Sequence, residues 1–151
     1  MDLLLASFQL VAQRHSILRT TFREENNQVV QHVEAQTTIP TEVVDLQHLT
    51  SEKQAKTIAE ITKEKTQQTF DLAQDVLLRV TVLILSENDH LVLLSIHHII
   101  GDRWSLQVLN KELAAAYQAL VQQQHTAIAP LDIQYADYAY WQQAQDSTFS
   151  F

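Results

Sequence analysis

Polar and apolar residues alternate with different periods along this chain. In residues 3–14, Leu4, Phe8 and Val11 fall near one face, which predicts a helix. Arg14 and His15 sit in its last turn, where positive charge suits the helix dipole. "LRTTFREENNQVVQHV" reads as a hairpin turning at Glu25-Asn26-Asn27, and "TEVVDL", 41–46, as a short strand. Ser51 with Gln54 predicts a capping box opening a helix that runs to about Gln68. Its Ala55, Ile58, Ala59 and Thr62 form a narrow, weakly apolar stripe, and its lysines and glutamates a solvated face. The strongest signals follow. "LLRVTVLILS", 77–86, and "HLVLLSIH", 90–97, are nearly continuous apolar runs separated by Glu87-Asn88-Asp89, which predicts two buried antiparallel strands. From Trp104 to Gln124 the period becomes helical, with Leu106, Leu109, Leu113, Tyr117 and Leu120 on one face. "HTAIAPLDIQ" reads as a loop, "YADYAYWQQAQ" as a short aromatic helix, and "DSTFSF" as a frayed end.

A length of 151 residues with 46% apolar content suits one domain with a sizeable core. No apolar run is long enough to span a bilayer, and "MDLLLASFQLVAQRH" lacks the basic start and cleavage site of a signal peptide. The absence of cysteine excludes disulfides and thiolate zinc sites. These features together lead us to expect a cytoplasmic protein. A net charge of -8 argues against a nucleic-acid partner, which calls for a basic surface. Glycine occurs once, at Gly101, beside a pair of histidines. A lone glycine there predicts either a positive φ or a close backbone approach.

The pair lies in "SIHHIIGDRWS", Ser95 to Ser105, at the carboxyl end of an apolar strand and just before a helix. Open α/β sheets place their chemistry at such junctions. Three readings compete. The histidines can be hydrogen-bonded packing, with Asp102 simply the N-cap of the next helix. His98 and Asp102 have the spacing of a helical ligand pair, but the preceding strand and Gly101 spoil the helix, and no third metal ligand lies nearby. The third reading is a general base, for which imidazole is the side chain matched to neutral pH. Strand alternation would then send His97 and His98 to opposite faces, one structural and one chemical.

"HHIIGD" resembles the His-His-x-x-x-Asp-Gly signature of nonribosomal peptide synthetase condensation domains and their acyltransferase relatives. "RHSILRTTF", 14–22, is similar to the family's Arg-His-Glu-x-Leu-Arg-Thr-x-Phe, with Ser16 replacing glutamate. "YADYAYWQ", 135–142, resembles Tyr-x-Asp-Tyr-Ala-x-Trp-Gln at every specified position. "FDLAQDVLLRV" is similar to a further family segment, with Val76 where proline is usual. The matches occur in family order and span nearly the whole chain.

The resemblance implies an α/β fold, an α+β sandwich of chloramphenicol-acetyltransferase-like type, with a mixed or antiparallel sheet covered by helices. It implies that residues 1–151 are the N-terminal lobe of a two-lobed domain, without the family's opening motif or second lobe. Such a domain joins an acyl or peptidyl thioester to the amine of an aminoacyl thioester. Both substrates ride on phosphopantetheine arms of carrier proteins, so no cofactor or metal is expected to bind directly. The implied partners are peptidyl carrier proteins, an adenylation domain and the second lobe. His98 corresponds to the family's active-site histidine, whereas His97 and Asp102 correspond to structural positions. Arg14 and Arg19 are the implied ion-pair partners of Asp102. Arg103 stands where the signature has glycine, a bulky cation expected to narrow the tunnel or change substrate preference.

Subclass follows in part from the same likeness. Heterocyclisation domains replace the histidine pair with aspartates. Epimerisation domains place serine before tryptophan, but here Trp104 precedes Ser105, the condensation order. A coenzyme A acyltransferase would keep the histidine signature without the "YADYAYWQ" match, and a degenerate lobe would only dock partners. A helix beginning near Trp104 is also expected to aim its amides at an oxyanion.

Overall fold

The computed structural model describes residues 1–123 and 129–146. Helix α1, Asp2–Arg14, leads through a 3-10 turn at Ser16–Arg19 into a hairpin of β1, Thr20–Glu25, and β2, Gln28–Val33. Its reversal is a two-residue turn with Asn26 at φ 52° and Asn27 at φ 61°. Asparagine tolerates that left-handed backbone, and two such residues in succession match the twist of the paired strands. Strand β3, Thr41–Asp45, is followed by α2, Ser51–Gln67, and then by β4, Leu78–Ser86, and β5, Asp89–Ile96. Helices α3, Arg103–Val121, and α4, Tyr135–Asp146, complete the order.

β3, β4 and β5 form one sheet in that order. β4 runs parallel to β3, from Thr41 opposite Val80 to Asp45 opposite Ile84. It runs antiparallel to β5, from Leu78 opposite Ile96 to Ile84 opposite His90. The sheet is therefore mixed, because α2 supplies the long crossover that a parallel pair needs. Leu78, Val80 and Val82 of β4 meet Phe8, Val11 and Ala12 of α1 and Leu109, Leu113 and Ala116 of α3 in one core. The helical faces read from the sequence are buried at Phe8, Val11, Leu109 and Leu113, but Tyr117, expected on the same face of α3, is exposed and Ala116 is buried in its place.

Three local expectations change. The N-cap of α2 is Thr50, with no side-chain cap bond, so Ser51 and Gln54 form no capping box. The Gln54 amide instead donates to the carbonyls of Leu46, at 3.0 Å, and Leu85, at 2.9 Å, tying the helix to the sheet. The apolar stripe of α2 is also rotated. Ile58 and Thr62 are half-buried together with Ile61, while Ala55 and Ala59 are exposed. Larger side chains bury more apolar area, and Ile61 pulls the contact face toward itself. Finally, of the two apolar strands expected to be buried, only β4 is. β5 is half-buried from Leu91 to Ile96 because it is a sheet edge, despite an equally apolar sequence.

The helix expected to reach Gln124 ends at Val121, and Gln122 caps it. Gln124, residues 125–128 of the expected loop and residues 147–151 of the expected frayed end lie outside the described residues. Among the described residues no helix is long and apolar enough to cross a membrane.

Leu78 is 1% exposed. Leu78→Ala should lower unfolding free energy by about 2–5 kcal/mol. Ala59→Glu, on the exposed side of α2, should stay within about 0.5 kcal/mol of the parent. Denaturant melts of both variants check the packing side of α2 and the central place of β4.

Candidate active site

Strand β5 ends at Ile96, and the chain tightens at once into a 3-10 turn at His98–Ile100. The turn parts the two imidazoles. The His97 backbone N–H donates to the Leu77 carbonyl at 3.0 Å, continuing the β4–β5 ladder by one more bond. The His97 Nδ1 accepts from the Ile99 N–H at 3.1 Å. That bond needs a lone pair on Nδ1, so the ring carries its proton on Nε2. Its edge meets the Phe70 ring, with centroids 6.0 Å apart and planes at 82°. The Arg79 guanidinium lies 4.0 Å from the Phe70 centroid and donates to Asp75 Oδ2 at 2.9 Å and to the Thr69 carbonyl at 3.0 Å. The "FDLAQDVLLRV" segment thus braces His97 from the side.

His98 is exposed and lines a cavity of about 380 Å³. Its walls come from the end of β5, the start of α3, the 3-10 turn after α1 and the start of α4, including His15, Ile17, Trp104 and Tyr135. His97 is not on that wall. Trp104, 72% exposed, stands at the cavity's rim on the first turn of α3. Arg103 is exposed on the same turn and does not line this cavity.

Gly101 has φ 179°, an extended backbone open to any residue. Its positive-φ explanation therefore fails and the close approach holds: a Cβ there would sit 3.2 Å from the Ser105 Cβ. That contact follows from a capping box. The Ser105 N–H and the Ser105 hydroxyl both donate to Asp102 Oδ1 at 2.8 Å, and the Asp102 N–H donates to Ser105 Oγ at 3.2 Å. Of the two roles open to Asp102 in the sequence, capping is the one formed. Arg14 instead pairs with Glu112 at 3.2 Å, and Arg19 donates to the Glu34 carbonyl. Among the described residues neither arginine forms an ion pair with Asp102. Both are held by partners closer to the end of α1 and the hairpin. The cap also revises the oxyanion expectation, because the first-turn amide of Ser105 is already taken by a carboxylate. Hydrogen bonds from the Ser105 backbone and hydroxyl, and further from the Asp102 and Trp104 amides, hold the Asp102 carboxyl below the usual carboxylate range.

Several residues at the site gave no local signal. Glu112 of α3 receives both Arg14 and His15, the latter through Nε2 at 2.7 Å. The Gln134 side chain accepts from the Ser16 N–H at 2.9 Å and donates to the Arg14 carbonyl at 3.0 Å, fastening the start of α4 beside the cavity. These contacts join positions about a hundred residues apart, which no periodicity reports. Among the described residues no three His, Asp or Glu side chains gather as a metal cluster.

Comparison with known proteins places this arrangement. The chain belongs to the condensation domain family, whose profile matches residues 1–149. A linear gramicidin synthase protein of Brevibacillus parabrevis is 39% identical over 142 residues, which cover 94% of this chain and 3% of that protein. The chain thus spans a small part of the synthetases it resembles. Among solved structures, the X-domain from teicoplanin biosynthesis is 35% identical, with a TM-score of 0.82 over 97% of this chain and 31% of its own; the same domain in complex with OxyB gives 0.83. The epimerization domain from the third module of tyrocidine synthetase B is 25% identical, with a TM-score of 0.79 over 95% of this chain and 32% of its own. The α/β fold is that of these domains.

The Asp102 cap carries a pH signature. Its folded-state carboxyl is depressed, so its stabilising contribution is present above the ordinary aspartate pKa, about 3.9, and fades as pH falls through the folded value. Asp102→Ala should melt below the parent at pH 7. That gap should shrink steadily in acid below about pH 4. Paired thermal melts across pH 2–7 check this, and a gap that does not change with pH would show that the carboxylate charge is not involved.

Proposed function

We propose that this chain is the N-terminal, histidine-bearing lobe of a nonribosomal peptide synthetase condensation domain and that it contributes to amide formation between two thioester-bound substrates. The observation that carries this reading is the division of the histidine pair. His97 is spent on Ile99 and Phe70, while His98 is left exposed on the wall of a cavity. Membership of the family and likeness to peptide synthetases supply the reaction class.

The chemistry needs few groups. A neutral amine attacks a thioester carbonyl, and an N–C bond forms. The intermediate ammonium gives its proton to the His98 imidazole. The C–S bond then breaks, and the leaving thiolate takes that proton, so charge and protons balance. Base assistance of this kind is worth roughly 10²–10⁴ in rate. The substrates are proposed to arrive on phosphopantetheine arms of carrier proteins. A cavity of about 380 Å³ is smaller than two such arms need, which supports the reading that a second lobe completes the tunnel. A second reading, a lobe that only docks a partner, is favoured by the X-domain neighbour, whose structure includes a complex with OxyB.

In a synthetase carrying these residues, His98→Ala should abolish peptide formation between loaded carrier proteins, and His97→Ala should mainly lower the melting temperature. Near-normal turnover by His98→Ala would refute the base, whereas no turnover by the unaltered synthetase would favour the docking reading. Residues 1–151 alone should give no peptide above the uncatalysed background and should self-associate in light scattering, because a face built for another lobe is left uncovered. A monodisperse, active fragment would show that the second lobe is dispensable.

A further inference from the structure

The function above uses one imidazole, but the cavity wall carries two: His15 lines it together with His98. His15 follows the last residue of α1 and is held in an extended conformation, with φ -100° and ψ 104°, while its N–H still closes the helix on the Val11 carbonyl. Its Nε2 meets Glu112 Oε2 at 2.7 Å. A carboxylate only accepts, so Nε2 donates, and in the neutral ring Nδ1 is left with a lone pair. Among the described residues no hydrogen bond reaches Nδ1, and His15 is part of the cavity lining. Glu112 is itself fixed by Arg14 at 3.2 Å and lies on α3, which packs directly on α1. The ring is therefore clamped by a carboxylate that an arginine holds in place.

We propose that His15 contacts the substrate, its Nδ1 accepting a hydrogen bond from the attacking amine, and so acts as a determinant for primary-amine acceptors. This rests on the proposed condensation activity. A neutral primary amine offers a lone pair and two N–H groups. The lone pair must point at the thioester carbonyl, and one N–H is the proton that His98 removes. The remaining N–H is free to rotate the amine off line unless something accepts it. A second, fixed imidazole lining the same cavity would supply that acceptor and set the lone-pair direction, which is a positioning effect on the reacting atom. A secondary amine has only one N–H, so it gains nothing from His15. The alternative is that His15 only staples α1 to α3 through Glu112.

His15→Gln separates the two roles. A glutamine amide reaches about as far as Nε2 and can still donate to Glu112, but it has no atom at Nδ1. The assay uses the full synthetase chain with a loaded donor carrier protein and, as acceptors, glycyl and N-methylglycyl pantetheine thioesters. For the glycyl acceptor His15→Gln should raise KM or lower kcat/KM about tenfold, the worth of one lost hydrogen bond. For the N-methyl acceptor the parent and the variant should agree. Equal losses on both acceptors, or no loss on either, would overturn the proposal and leave His15 as a staple. The imidazole nitrogen shifts of the unaltered protein give a reading that needs no variant: a neutral His15 ring protonated at Nδ1 instead of Nε2 would also overturn it. His98→Ala run alongside keeps the two inferences apart. If it abolishes turnover while His15→Gln is silent, only the His15 proposal falls. If it leaves turnover intact, the condensation base falls first.

Discussion

Everything at the candidate site hangs on the burial of β4 between two strands of opposite sense. β3 pairs with it in parallel and β5 in antiparallel register, so both of its edges are occupied. Its inward side chains Val80 and Val82 are 1% and 0% exposed and pack on α1 and α3. Such burial removes apolar area from water at roughly 25 cal/mol per Å², and a buried strand cannot slip by one residue without turning its core face outward. The Leu77 carbonyl just before β4 receives the His97 N–H. A fixed register in β4 therefore fixes where the strand carrying the histidines ends.

Asymmetry between the two histidines follows from that ending. A strand continued through both would place them on opposite faces by alternation alone. The chain instead enters a 3-10 turn, and His97 spends its lone pair on the Ile99 amide that begins it. The Phe70 ring and the Arg79 guanidinium fill the space beside His97, and Arg79 is anchored by Asp75. One imidazole becomes part of the scaffold so that the other can stand at the cavity with few constraints of its own. Asp102 is committed in a similar way, its carboxylate capping the start of α3.

A second clamp acts at the other wall. Glu112 joins α3 to the end of α1 through Arg14 and His15, and Gln134 joins the start of α4 to the same segment. These groups are part-buried, where hydrogen bonds to charged groups are worth more than at the open surface. They hold four elements around one cavity in a chain that has no cysteine for disulfides.

Sequence alone determined the elements and the motif. The strand runs at 77–86 and 90–97, the helical face through Leu109 and Leu113, the hairpin turn at Glu25-Asn26-Asn27 (of which Glu25 belongs to β1) and the histidine pair could each be read from local period or residue chemistry, because backbone geometry imposes those periods directly. Local sequence was silent or misleading wherever a partner lay far along the chain. Ser51 and Gln54 have capping-box spacing, yet Gln54 is drawn to the sheet carbonyls of Leu46 and Leu85. β5 is as apolar as β4 but half-buried, since a position at the sheet edge is a property of topology. Arg14 had an aspartate as its expected partner and found Glu112, ninety-eight residues away, because the packing of α1 on α3 brings that carboxylate closer. Period and propensity act over a few residues, whereas the distances that set ion pairs, burial and the cavity wall exist only once the helices have closed on the sheet.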